Sequence, residues 1–146
     1  MSAESFSIKS NASDREVVFQ DPRPDYFVVS LRGFSVRAIR EVYAYPDALG
    51  LLALFNRLAE YALPWNGAES WESLEGEFSL AATCSALGQV SITVSIRDVF
   101  GTAEEWRVEA SLVTEMGQLP SIAANASTFF VGVSPPDKSL ERTRGE

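Results

Sequence analysis

The amino-acid sequence predicts an α+β fold: two layers, with an antiparallel meandering β-sheet and two helices packed on one of its faces. Three observations carry this. Between residues 78 and 113, three runs alternate apolar and polar side chains, so that each strand has one buried and one wetter face, as antiparallel strands do. Residues 48–62 and 119–130 instead repeat their apolar positions at helical spacing. The order of strands, helix, three strands, helix does not follow the regular β–α alternation of a parallel sheet.

Taken in order, residues 5–10 and 16–20 read as short strands separated by the turn-forming Asn11-Ala12-Ser13-Asp14. Asp21-Pro22-Arg23-Pro24 is expected to break regular structure, since proline removes a donor and fixes φ. From Tyr26 to Arg32 the pattern alternates again, with Phe27, Val29 and Leu31 on one face. Gly33 permits a bend, and a strand over roughly 34–44 follows. Pro46-Asp47 suits the first turn of a helix whose apolar face is Leu51, Phe55, Leu58, Ala59 and Ala62, ending near Leu63 ahead of Pro64. Residues 65–71 read as a loop around Asn66-Gly67. The three-strand meander then turns tightly at 85–88 and loosely at 98–104. Gly117 starts the second helix, with Pro120 harmless in its first turn and Leu119, Ile122, Ala123, Ala126 and Phe130 on one face. The 146 residues are one domain's worth. That domain is expected over 1–133, and 134–146, with Pro135-Pro136, is expected to fray.

Composition removes most catalytic chemistry. The chain has no histidine, the usual general base near neutral pH and the commonest metal ligand. Without it the Ser-His-Asp and Cys-His schemes and most zinc and iron sites are excluded. No catalytic residue, metal site or cofactor is therefore expected. The single cysteine, Cys84, sits in an apolar register and reads as a structural thiol, which fits a reducing compartment. The N-terminus lacks the basic and apolar regions of a signal peptide, and no apolar run reaches the roughly 18 residues of a membrane span. A cytoplasmic protein is expected, without a membrane partner.

Charge is unevenly placed. Residues 1–60 carry seven Lys or Arg against eight Asp or Glu, whereas residues 61–137 carry two (Arg97 and Arg107) against ten. This acidity argues against nucleic acid and permits a basic protein partner. Glu69, Glu72, Glu75 and Glu77 cluster near Trp65 and Trp71, with Glu105 and Glu109 further on. Paired carboxylates can act as acid and base or bind hard cations, but this spacing fits neither a catalytic pair nor a calcium loop. Glu75 and Glu77 are expected to share the solvated face of a strand. The group reads as a partner surface or a plain solvated face. A tryptophan could anchor the partner or pin the loop to the sheet. Gly117-Gln118 reads as a helix-entry turn rather than an anion site. Arg32, Arg37 and Arg40 read as ordinary surface pairing.

Four segments resemble those of small bacterial proteins of an uncharacterised family: Trp71-Glu72-Ser73-Leu74-Glu75-Gly76-Glu77-Phe78-Ser79-Leu80, Gly88-Gln89-Val90, Trp106-Arg107-Val108-Glu109-Ala110 and Glu115-Met116-Gly117-Gln118-Leu119. The resemblance covers roughly residues 50–130; the first 45 residues share only the general layout. The turn Ser85-Ala86-Leu87-Gly88 departs from the pattern in lacking an acidic residue. That family in turn resembles the WapI-type immunity proteins of polymorphic toxin systems. The resemblance implies no enzyme activity, and a cytoplasmic protein that blocks a cognate, basic toxin. The partner-binding residues would be Trp65, Glu69, Trp71, Glu72, Glu75, Glu77, Glu105 and Glu109, in a monomer or homodimer. The alternative is a small-ligand or accessory domain with a pocket between sheet and helices.

Overall fold

The computed structural model describes residues 4–45, 48–98 and 100–133. Strands β1 (Ser5–Lys9), β2 (Glu16–Arg23), β3 (Tyr26–Gly33) and β4 (Val36–Tyr43) form one antiparallel meander in sequence order. Helix α1 (Ala48–Glu60) follows, and then a second four-stranded antiparallel meander: β5 (Glu69–Glu72), β6 (Phe78–Cys84), β7 (Gln89–Asp98) and β8 (Trp106–Glu115). A short 3-10 turn, Met116–Gln118, leads into α2 (Leu119–Phe130). The fold is α+β, with antiparallel meanders and two helices. Its strands fall into two sheets of four rather than one continuous sheet.

Alternation builds one core from both sheets. Phe27, Val29 and Leu31 of β3 are fully buried, as are Val90, Ile92, Val94 and Ile96 of β7. Helix α1 adds Leu51, Leu54, Phe55 and Leu58, and α2 adds Leu119, Ala126, Phe129 and Phe130. The rings meet at the centre. Phe19 of the first sheet lies 5.9 Å from Phe78 of the second, and Phe6 stacks on Phe19 at 4.6 Å. Phe55 meets Phe6 edge-on at 6.1 Å, and Phe130 meets Phe27 edge-on at 5.7 Å. Each buried ring contributes roughly 2–3 kcal/mol. The cluster fills the centre of the domain between sheets and helices.

Four sequence expectations change. Residues 21–23 do not break β2; the ladder slips between Gln20 and Arg23, and Asp21 takes φ 52°. A bulge of this kind accommodates Pro22 without ending the strand. Helix α1 ends at Glu60, because Tyr61 leaves it to stack on Trp65 at 4.7 Å. The loop expected over 65–71 contains β5, a four-residue edge strand too short and polar to show alternation. Cys84 is only partly buried. The expected Pro46-Asp47 helix start and the frayed tail 134–146 lie outside the described residues.

Two seams join the sheets. At one, the β1–β2 turn braces β8: the Asn11 N–H donates to the Val113 carbonyl (2.8 Å), Arg15 Nη1 to the Ser111 carbonyl (2.9 Å), and the Val113 N–H to Ser10 Oγ (3.1 Å). At the other, Arg40 Nε of β4 lies 3.1 Å from Asp98 Oδ1 of β7. Beside it, the Tyr43 N–H donates to Glu77 Oε2 at 3.3 Å.

Candidate functional site

The β5–β6 and β7–β8 turns lie at the same end of the second sheet, as the meander order requires. Arg97 sits between them. Its Nε donates to the Gly76 carbonyl at 3.0 Å, and its guanidinium lies 4.4 Å from the Phe100 ring centre. The first turn is closed by Ser73, whose N–H donates to the Phe78 carbonyl and whose carbonyl accepts from the Gly76 N–H, both at 2.9 Å. Gly76 takes φ 76°, and a Cβ there would meet Arg97 Nη2 at 2.9 Å. Glycine thus serves both the turn and the close approach of the arginine.

These two tips carry exposed apolar side chains among carboxylates. Leu74 is 68% exposed and Phe100 39%. Glu75, Glu104 and Glu105 are exposed beside them. Glu72, Glu75, Glu104 and Glu105 make no ion pair among the described residues, and Arg97 is already engaged. Two exposed apolar side chains thus stand among carboxylates that form no ion pair among the described residues, with the Arg97 guanidinium between the two tips. Leu74 and Phe100 were not singled out from the sequence. The available signal was a large apolar residue inside each acidic turn.

The site continues onto the outer face of the second sheet. The ladders place Glu72, Ser79, Ser95 and Glu109 in one cross-strand row. Three strand spacings set its glutamates roughly 14 Å apart. The next row is Ser70, Ala81, Thr93 and Ser111. Small side chains between acidic rims leave a shallow groove of about 320 Å³ lined by Ser70, Glu72, Ser79, Thr93, Ser95 and Glu109, among others. At one rim Arg107 binds Ser95 Oγ and Glu109 Oε1, each at 3.1 Å.

The remaining sequence-selected residues take structural positions. Trp65 is 6% exposed, and its Nε1–H donates to the Ala82 carbonyl at 3.4 Å, pinning the loop to β6. Trp71 is 8% exposed and packs 6.1 Å from Phe78. Neither ring is exposed, because both extend the apolar face of the sheet. Glu69 faces α1, within 3.3 Å of Arg57 Nε and 3.4 Å of Tyr61 Oη. Burial, and then the Glu69 carboxylate, hold the Tyr61 phenol above its ordinary pKa of 10.0. Glu77 does not share a solvated strand face with Glu75; it is 1% exposed, accepting from Ser73 Oγ and the Tyr43 N–H. Its carboxylate closes the seam between sheets. Glu72, Glu75, Glu105 and Glu109 remain on the surface.

A family model, described as "Family of unknown function (DUF6228)", matches residues 8–133. The chain belongs to this family. No curated protein and no solved structure matches the chain. Family membership agrees with the resemblance to an uncharacterised family and extends it through the first sheet, where only a general layout was legible. Among the described residues of this family member, no group of three or more His, Cys, Asp or Glu is placed to hold a metal ion. No helix among them is long and apolar enough to cross a membrane.

Proposed function

We propose that this protein is a non-catalytic binding module of the cytoplasm, an immunity protein of the WapI-like kind that neutralises a basic toxin. The observation that supports this reading is the pair of hairpin tips in which Leu74 and Phe100 stand exposed among Glu72, Glu75, Glu104 and Glu105. Partner recognition there divides into two tasks. The carboxylates steer a basic surface into contact and set its register, and the two apolar side chains give up water to hold it. The small-residue groove beside them gives a flat approach to an extended segment carrying Arg or Lys. A toxin whose nucleic-acid cleft is basic would be blocked by such a surface without any chemistry from the inhibitor.

The test is co-purification of the tagged protein from its native host at low salt. The expected result is one basic polypeptide, retained at low ionic strength and released as salt rises. Glu75→Lys combined with Leu74→Asp should abolish the capture while the variant stays folded, since both side chains are exposed. Recovery of the protein without a partner, or capture indifferent to both substitutions, would remove this surface from the account.

A further inference from the structure

The brace at β8 leaves half of an edge strand open. Val113 uses both its N–H and its carbonyl toward Ser10 and Asn11, and the Ser111 carbonyl accepts from Arg15. Odd-numbered residues of β8 therefore turn their backbone groups away from β7. The β7–β8 register runs without a slip from Glu115 to Trp106, so Arg107 and Glu109 face outward in the same way. Among the described residues, no hydrogen bond is made to the outward backbone groups of these two. The apolar side chains on this stretch, Trp106, Val108 and Ala110, are only partly buried against the core. An open ladder flanked by half-exposed apolar side chains is a template for another strand.

The sequence of the open stretch, Trp106-Arg107-Val108-Glu109-Ala110, is complementary to itself. We propose that two copies of this chain pair antiparallel through β8 about a two-fold axis at Val108, joining their second sheets into one of eight strands. In this register Arg107 of each copy stands opposite Glu109 of the other. Both are outward-facing positions, so each such pair exchanges two backbone hydrogen bonds. Val108 meets its counterpart, and Trp106 lies across the small Ala110, where the indole has room. Arg107 and Glu109 already contact one another within a copy at 3.1 Å, and their side chains are 59% and 54% exposed. The two-fold turns that pair into an alternating ring of four charges. A shift of two residues in either direction would oppose like charges, Arg107 to Arg107 or Glu109 to Glu109. The interface is small, so the dimer forms at high protein concentration and dissociates on dilution.

Sedimentation velocity of the full chain from micromolar to millimolar concentration tests this. Wild type should pass from monomer to dimer. Arg107→Glu and Glu109→Arg should each weaken the dimer about tenfold or more, since symmetry places two like-charged pairs in each interface. The double variant Arg107→Glu/Glu109→Arg should restore it, because each residue faces the other type across the axis. Glu109→Pro provides an independent check: the N–H it removes points away from β7, so the fold survives and the dimer is lost. A wild-type monomer throughout would overturn the proposal. So would a dimer that ignores the single substitutions, or a double variant that stays as weak as the singles. The readout is oligomeric state alone and does not involve the hairpin tips.

Discussion

Glu77 shows how a single carboxylate serves the fold. It is surrounded by protein, and its oxygens satisfy the Ser73 hydroxyl and the Tyr43 N–H. Glu77→Ala leaves both donors in a dry seam and should cost about 2–3 kcal/mol in urea denaturation, whereas Glu77→Gln, which keeps one acceptor, should cost less. Equal losses for the two variants would mean that packing, rather than hydrogen bonding, holds the seam. Gly33 is the second sensitive position. At φ 98°, a Cβ would lie 2.4 Å from the Asp14 carbonyl oxygen, so Gly33→Ala should destabilise by more than about 1 kcal/mol. Tyr61 offers a titration test. Its raised phenol pKa means that the folded state keeps the proton longer than the unfolded chain does, so this stabilisation is present below the ordinary value and lost as pH rises through the folded one. Glu69→Gln removes the second cause of the shift and should lower the phenol midpoint in ultraviolet titration; an unchanged midpoint would leave burial as the whole cause.

At the scale of elements, strands with strict alternation were legible and those without it were not. β3, β6, β7 and β8 follow the period-two pattern almost residue by residue, since one face of each meets the core. β5 was invisible because four residues with three polar side chains carry no period. The end of α1 was misplaced because the apolar run continues through Ala62 and Leu63, while Tyr61 finds a better contact with Trp65 outside the helix. Burial of both tryptophans and of Glu77 depended on which face of β5 and of its turn meets the core, a question of register that spacing does not decide. The brace on β8 gives a prediction for hydrogen exchange. In dilute solution the Val113 amide, held by Ser10 Oγ, should exchange slowly, and the Arg107 and Glu109 amides fast. Ser10→Ala should release Val113 about tenfold and leave the other two unchanged. Fast exchange at Val113 in wild type would show the brace to be open in solution.

Across the whole molecule, one apolar cluster spans both sheets and both helices. The turn after helix α2 is tied back to the first sheet, where the Asp25 N–H of the β2–β3 turn donates to the Val133 carbonyl at 2.9 Å. The sheets should therefore unfold together, in a single transition coincident by near- and far-ultraviolet signals. The division of labour follows from this arrangement. The first sheet is close to charge balance, and its Arg40 answers Asp98 at the seam; the acids without an ion pair among the described residues gather at the tips of the second sheet beside that seam. Uneven charge was readable from residue counts, but the bridging of the two tips by Arg97, between the Gly76 carbonyl and the Phe100 ring, required the two turns to be brought to one end. The most direct test of the central claim is calorimetric titration of the purified protein with its captured basic partner, comparing wild type with Leu74→Ala and Phe100→Ala. Each substitution is expected to weaken Kd about tenfold or more while leaving the unfolding transition in place. Unchanged affinity for both would contradict it and locate binding elsewhere on the molecule.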